Sequence, residues 1–189
     1  MDYVSVEAFK SSVSLSGRTF ADADVDMALA AASRAVEKAT RRKRFDVDTL
    51  PVVRKYTATN TCRVMIDDCA DVQSVTISGG DVADFLPEPL NANEDGRPFT
   101  WISSAAGGFT TGLRGAVEVT GLWGWPEIPD EVPQMVTILA SRLLKRSREA
   151  PFGIMTAGSI EGIAVNLART DPEMQTLCAP LTRQLVGWR

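Results

Sequence analysis

The sequence predicts an α+β fold: a small helical bundle, interrupted by an antiparallel β-rich insertion and followed by an extended C-terminal arm. Three observations predict it. Apolar residues recur every three or four positions over 22–44 and 130–148, the period of a helix with one buried face. Between 52 and 121 the period shortens, and β-branched and aromatic runs alternate with Gly- and Asp-rich turns. After Pro151 the apolar residues lose helical spacing and are separated by Gly153, Gly158 and Gly162.

Taken in order, Tyr3 to Ser12 reads as a short opening helix (core near 5–12), with Ser5 as N-cap and Val6 and Phe9 on one face. A polar link containing Gly17 follows. From Asp22 to Arg44, Val25, Leu29, Ala32, Val36 and Ala39 form one stripe. Asp22, Asp24 and Asp26 crowd its start and Arg41 to Arg44 its end, both favoured by the helix dipole. Its alanines allow close approach by another helix. Val52–Thr59, Arg63–Ile66, Val72–Ser78, Phe99–Ser103 and Ala116–Gly121 read as strands. No helix-length crossover separates them, so their pairing is antiparallel. Asp130 is the expected N-cap of a helix carrying Val132, Met135, Val136, Leu139, Leu143 and Leu144, with Arg142, Lys145, Arg146 and Arg148 at its C-terminal end. Asp171-Pro172 opens a last helix over 171–185, with Pro172 at N1 and Pro180 ending or kinking it. The expected organisation is therefore a bundle from 1–50 and 122–150, an insertion over 51–121, and an arm over 151–189.

Composition bounds the chemistry. With 189 residues, 44% hydrophobic and 23% charged, the chain has the makeup of a soluble globular domain. It has no apolar run of about 18 residues, so no membrane span is expected, and its start lacks the pattern of a secretory signal. Cys62, Cys69 and Cys178 have no CxxC spacing and read as reduced, packed thiols. There is no histidine, which excludes histidine-based nucleophile activation, acid–base catalysis and zinc ligation. A net charge of −4 argues against a nucleic-acid clamp. It is compatible with a protein that lets DNA pass without gripping it.

Five stretches merit a functional reading beside a structural one. Asp67, Asp68 and Asp71 are candidates for a divalent metal or for carboxylate catalysis; a solvated turn between strands accounts for them better. Gly107-Gly108 lacks the Gly-Lys-Ser/Thr of a phosphate loop and reads as a hairpin tip. Arg41 to Arg44 suit a helix C-cap with ion-pair partners better than a nucleic-acid patch. Trp123 and Trp125 either form a stacking platform or pack a turn or a subunit interface. The segment from Phe152 to Leu167, with Ile154, Met155, Ile160, Ile163 and Val165, either folds back as an edge strand or adds to a partner. No catalytic, metal or cofactor residue is assigned.

Several of these pieces together resemble the head-to-tail adaptor (connector, or head-completion) proteins of long-tailed bacteriophages. The resemblance rests on Ala31-Ala32-Ser33 through Arg44-Phe45, and on Val119-Thr120-Gly121-Leu122-Trp123-Gly124-Trp125 with Pro129. It continues through Arg142, Lys145-Arg146 and Ala150-Pro151-Phe152-Gly153 to Asp171-Pro172, Leu177, Pro180 and Arg183. Cys178 and Leu181 depart from the Leu and Tyr more common in that family, and 51–115 contributes little. The resemblance implies a structural protein of the virion neck, assembled in the bacterial host cytoplasm, with no reaction and no cofactor. It implies a homo-oligomeric ring of about twelve copies, which closes only if head-to-tail contacts turn each subunit by the right angle. The implied partners are the portal, the next neck or tail protein, and DNA in the channel without sequence-specific contacts. On this reading Trp123, Trp125, Phe152, Ile154, Met155, Ile160, Ile163, Val165 and Trp188 face the portal or a neighbouring subunit. The alternatives are a stopper or tail terminator, a monomeric protein-binding module, and a carboxylate enzyme.

Overall fold

The computed structural model describes residues 2–14, 20–105, 107–149 and 157–183. Among these are five α-helices, one 3-10 turn and six strands, an α+β protein as the sequence predicts. The chain divides into two compact units, Met1–Lys43 with Pro129–Arg189, and Arg44–Ile128.

The first unit is helical. Helix α1 (Val6–Ser14) is capped by Ser5, whose Oγ accepts from the Ala8 amide at 3.1 Å, and it buries Phe9. Helix α2 (Asp22–Thr40) presents Val25, Leu29, Ala32 and Val36 to the interior, as its period requires. It stops four residues short of the expected end. Arg41 adopts the left-handed conformation at φ 57°, and the Arg42 amide closes back onto the Glu37 carbonyl at 2.9 Å. Helix α3 (Glu131–Glu149) buries the six stripe residues from Val132 to Leu144.

The expected extended arm is corrected over Ala157–Thr170, which is a helix, α4. Ile160, Ala164 and Ala168 recur every fourth residue and are buried, and α4 packs along α2. Ala28, Ala32 and Ala35 of α2, all buried, supply the short side chains that let a neighbouring helix come near. Helix α5 (Pro172–Cys178) begins as expected. The Asp171 carboxylate accepts from the amides of Glu173 at 3.0 Å and Met174 at 3.3 Å, with Pro172 in the first turn. It ends sooner than expected, passing at Ala179–Leu181 into a 3-10 turn that contains Pro180. Arg42 of the run after α2 donates from Nε to the Leu181 carbonyl at 2.9 Å. Arg142 pairs with Asp171 and, at 2.7 Å, with Glu173.

The second unit is one antiparallel sheet of β1 (Val52–Tyr56), β2 (Arg63–Ile77), β3 (Gly80–Asp81), β4 (Phe85–Glu88), β5 (Phe99–Ser104) and β6 (Val117–Trp123). The strand order is β1-β6-β2-β5-β4, with β3 hairpinned onto β2. Asp67 and Asp68 do not form the expected turn, because β2 runs through them. Its first half pairs with β5 and its second with β6, and register shifts between Met65 and Cys69 and again near Asp71 and Ser74 bend one long strand. Strand β4, absent from the strands expected from the sequence, pairs with β5 as an edge strand, where proline is tolerated. Val64, Ile66, Val75, Ile102, Val117 and Val119 alternate inward to build the core with Phe109 and Trp123.

Candidate functional site

The sheet unit folds around the turn at the end of β6. Gly121 faces Asp71 on β2 so closely that a Cβ would strike the Asp71 carbonyl oxygen and lie 2.8 Å from the Cys69 sulfur. Gly124 sits at φ +122°, a conformation glycine alone adopts without strain, and a Cβ there would collide with the Asp46 carbonyl. Both glycines are therefore demanded by backbone proximity. The turn is tied on several sides. The Gly124 amide donates to the Asp68 carbonyl at 2.9 Å, and the Trp123 carbonyl accepts from the Asp48 amide at 2.8 Å and from Arg44 Nη2 at 3.2 Å.

Trp123 is wholly buried; its indole nitrogen donates to the Val52 carbonyl at 2.7 Å, and Tyr56 packs on its ring at 5.7 Å between centroids. The Arg54 guanidinium lies 4.5 Å above the same ring, a cation–π geometry. Trp125 is 4% exposed and packs on Phe45 at 5.3 Å. The two tryptophans named from the sequence as partner-facing thus have no ring surface to offer; they hold the turn.

Around Trp123 lies a half-buried ionic cluster. Arg54 pairs with Asp67 at 3.0 Å and stands 3.9 Å from Asp48, Arg44 pairs with Asp48, and the Tyr56 hydroxyl donates to Asp67 at 3.2 Å. Burial pushes the Tyr56 phenol well above its ordinary range, and the adjacent Asp67 charge adds to the rise. Burial also pushes the Cys69 thiol up to about 12, and its Sγ donates to the Asp71 carbonyl at 3.2 Å. A neutral thiol and a neutral phenol, both acting as donors, are structural groups rather than nucleophiles. Among the described residues no three His, Cys, Asp or Glu side chains converge as a metal set. Cys178 is buried, its Sγ 3.4 Å from the Met135 sulfur, whereas Cys62, expected to be packed, is exposed in the turn before β2.

In the helical unit, Ile160 is buried while Ile163 and Val165 are half-buried on α4. Met27, Ala28, Leu143, Leu144 and Ile160 line a groove of about 180 Å³ with Asp24 and Ser147. Phe152, Ile154, Met155 and Trp188 lie outside the described residues. No helix among those described is long and apolar enough to cross a membrane. Reasoning from sequence missed the apolar sheet edges: Leu50, Val52 and Val53 on the β1 side, and Leu86 and Leu90 on the β4 side, are all exposed. The signal for the first was present in the run Leu50-Pro51-Val52-Val53, where consecutive apolar residues cannot all face one core.

The architecture defined by these parts is a helical unit that carries an antiparallel sheet unit between its second and third helices. The same fold occurs in a chain from the neck of an empty GTA particle computed with C6 symmetry. That chain overlaps with a TM-score of 0.54 at 19% identity, over 97% of this chain and 92% of its own length. A chain from the neck of a native GTA particle computed with C12 symmetry overlaps at a TM-score of 0.48 and 18% identity, over 99% and 97% respectively. No family model and no curated protein matches the sequence.

Proposed function

We propose that this chain is a structural neck protein of a phage-like particle, an adaptor that joins the portal to the next neck or tail protein. The observation that carries the reading is the overlap in fold with a neck chain along nearly the whole length of both proteins. The motif from Val119 to Gly153 supports it independently. In that motif Gly121, Gly124, Trp123 and Trp125 are explained by the turn they build rather than by a ligand. The copies form a homo-oligomeric ring of about twelve, closed by head-to-tail contacts, around a channel through which DNA passes without being gripped. Its work is assembly and sealing, and no bond is made or broken.

The portal contact is assigned to Phe152, Ile154, Met155 and Trp188, and to Ile163 and Val165, which are half-buried on α4. The test is co-expression with the portal of the same particle, followed by electron microscopy of the purified complex. A ring of this chain seated on the portal is the expected image. A chain that stays monomeric and leaves the portal bare would sink the proposal. Replacing Phe152, Ile154 and Met155 together by Ser should abolish docking while leaving the circular dichroism spectrum unchanged.

A further inference from the structure

Among the described residues the sheet ends in two edge strands, β1 and β4, and exposed apolar edges are an association liability that proteins ordinarily blunt. Charges on β1 and proline in β4 restrain pairing of like edges, yet both edges also carry exposed apolar side chains. On one side Leu50 is 72% exposed, with Val52 and Val53 exposed beside it; on the other Leu90 is 61% exposed, with Leu86 of β4 exposed before it. Strand alternation places Val53, Leu86 and Met65 on the outer face. Arg54, the neighbour of Val53, pairs with buried Val119; Phe85, the neighbour of Leu86, packs on the core; Val64 and Ile66 flank Met65 and are buried.

We propose that these two edges are the two halves of one subunit contact: the β1 edge of one copy packs against the β4 rim of the next. The inference rests on the ring reading above and names the surfaces that close it. A ring needs two different, mutually complementary patches on each copy, directed away from each other. Two apolar patches at opposite ends of one strand order meet that requirement.

Self-pairing of either edge is disfavoured. Pro87 within β4 and Pro89 after it have no N–H, so β4 cannot extend a backbone ladder onto another copy of itself. Antiparallel pairing of β1 with a second β1 would set Arg54 and Lys55 of both copies against one another. Unlike edges are matched in charge instead. Lys55 and Arg114 are exposed near β1, where the Arg114-Gly115 turn runs beside Lys55, while Glu94 and Asp95 are exposed in the loop after β4. Lys55 shares its charge with Glu118 at 2.7 Å, so the apolar side chains carry the contact and the charges orient it.

The experiment uses Leu50→Asp/Val53→Asp and Leu86→Asp/Leu90→Asp, each in the full chain, weighed by mass photometry alone, mixed, and mixed in the presence of the portal. All four positions are exposed, and a milder pair, Val53→Thr and Leu86→Ser, guards against loss of fold. The wild type is expected to form rings and each variant alone to stay monomeric. An equimolar mixture is expected to stop at heterodimers, because one intact contact remains and cannot propagate. Variants that assemble like the wild type would overturn this contact while leaving the ring. A mixture that yields only monomers would overturn head-to-tail pairing of these edges. A wild-type chain that is monomeric at every concentration, with portal and without, would overturn the ring and this contact together.

Discussion

Two short stretches look alike in the sequence and behave in opposite ways. Val119 to Trp125 and Ser159 to Val165 are both apolar and broken by glycine. In the first, Gly121 and Gly124 are forced by neighbouring backbone that leaves no room for a Cβ. In the second, Gly162 lies inside α4 with nothing within 4 Å of where a Cβ would be. The first stretch is a turn locked by main-chain hydrogen bonds; the second is a helix held by its packing on α2. A glycine in a sequence therefore does not say which of these it serves. What decides between them is the space around the Cα: backbone fills it at Gly121 and Gly124 and leaves it open at Gly162.

That contrast can be broken in four ways. The largest effect is expected from deleting everything after Pro151. The deletion removes α4 and α5, and with them Ile160, Ala164, Ala168 and Met174, all buried in the helical unit. The helical unit should lose its cooperative thermal transition, read by circular dichroism at 222 nm. A truncated chain that melts as the full one does would show that α4 is an appendage after all.

Next comes Gly124→Ala, which adds both a collision with Asp46 and a strained φ. We expect a loss of about 3–5 kcal/mol in urea unfolding. A loss below about 1 kcal/mol would mean that the turn relaxes freely. The same change at Gly162 should have the opposite sign, a gain of about 0.5–1 kcal/mol, because alanine suits a helix interior better and meets no neighbour. Destabilisation by Gly162→Ala would reveal a close contact on that face.

The smallest effect is chemical rather than energetic. Cys62 is exposed, whereas Cys69 is buried and its thiol is raised from the ordinary 9.0 to about 12. A thiol reagent at pH 8 should modify Cys62 in the native protein and reach Cys69 only on unfolding. The linkage has a definite sign. The folded state keeps the proton that the unfolded state releases, so this stabilisation is complete below pH 9 and is lost as pH rises toward 12. Rapid labelling of Cys69 in native protein would contradict the packing at Gly121.

Much of this was legible because local signals agreed. The stripes of α2 and α3, Ser5 and Asp171 as caps, and the inward alternation of β6 all follow from spacing and side-chain chemistry. Other parts were not. Helix α4 was obscured because Ile163, Val165 and Leu167 fill the gaps between Ile160, Ala164 and Ala168, blurring the fourth-residue period. Strand β4 was hidden by Pro87 and Pro89, which are compatible with an edge but argue against any strand until the edge is known. Asp67-Asp68 reads as a turn because a bulged strand is locally indistinguishable from a bend, and only its two partners, β5 and β6, show one continuous element. For the candidate site, the reading that Trp123 and Trp125 pack a turn holds and the partner-facing one does not; sequence could not choose between them, since burial depends on Val52, Phe45 and Tyr56, distant in the chain.

One feature of the sheet unit bears on ancestry. Where the chain enters that unit, at Arg44 to Asp48, it is fastened to where it prepares to leave, at Trp123 and Gly124, by the Asp48 amide and the Arg44 side chain, which both donate to the Trp123 carbonyl, and by the close approach of the Asp46 carbonyl to Gly124. A segment whose beginning and end are stitched together behaves like a bead on a loop of thread. It can lengthen, shrink or be exchanged for another bead between the second and third helices without re-routing the helices themselves. Such a seam leaves the inserted sheet room to vary while the helices before and after it in the chain keep their own packing.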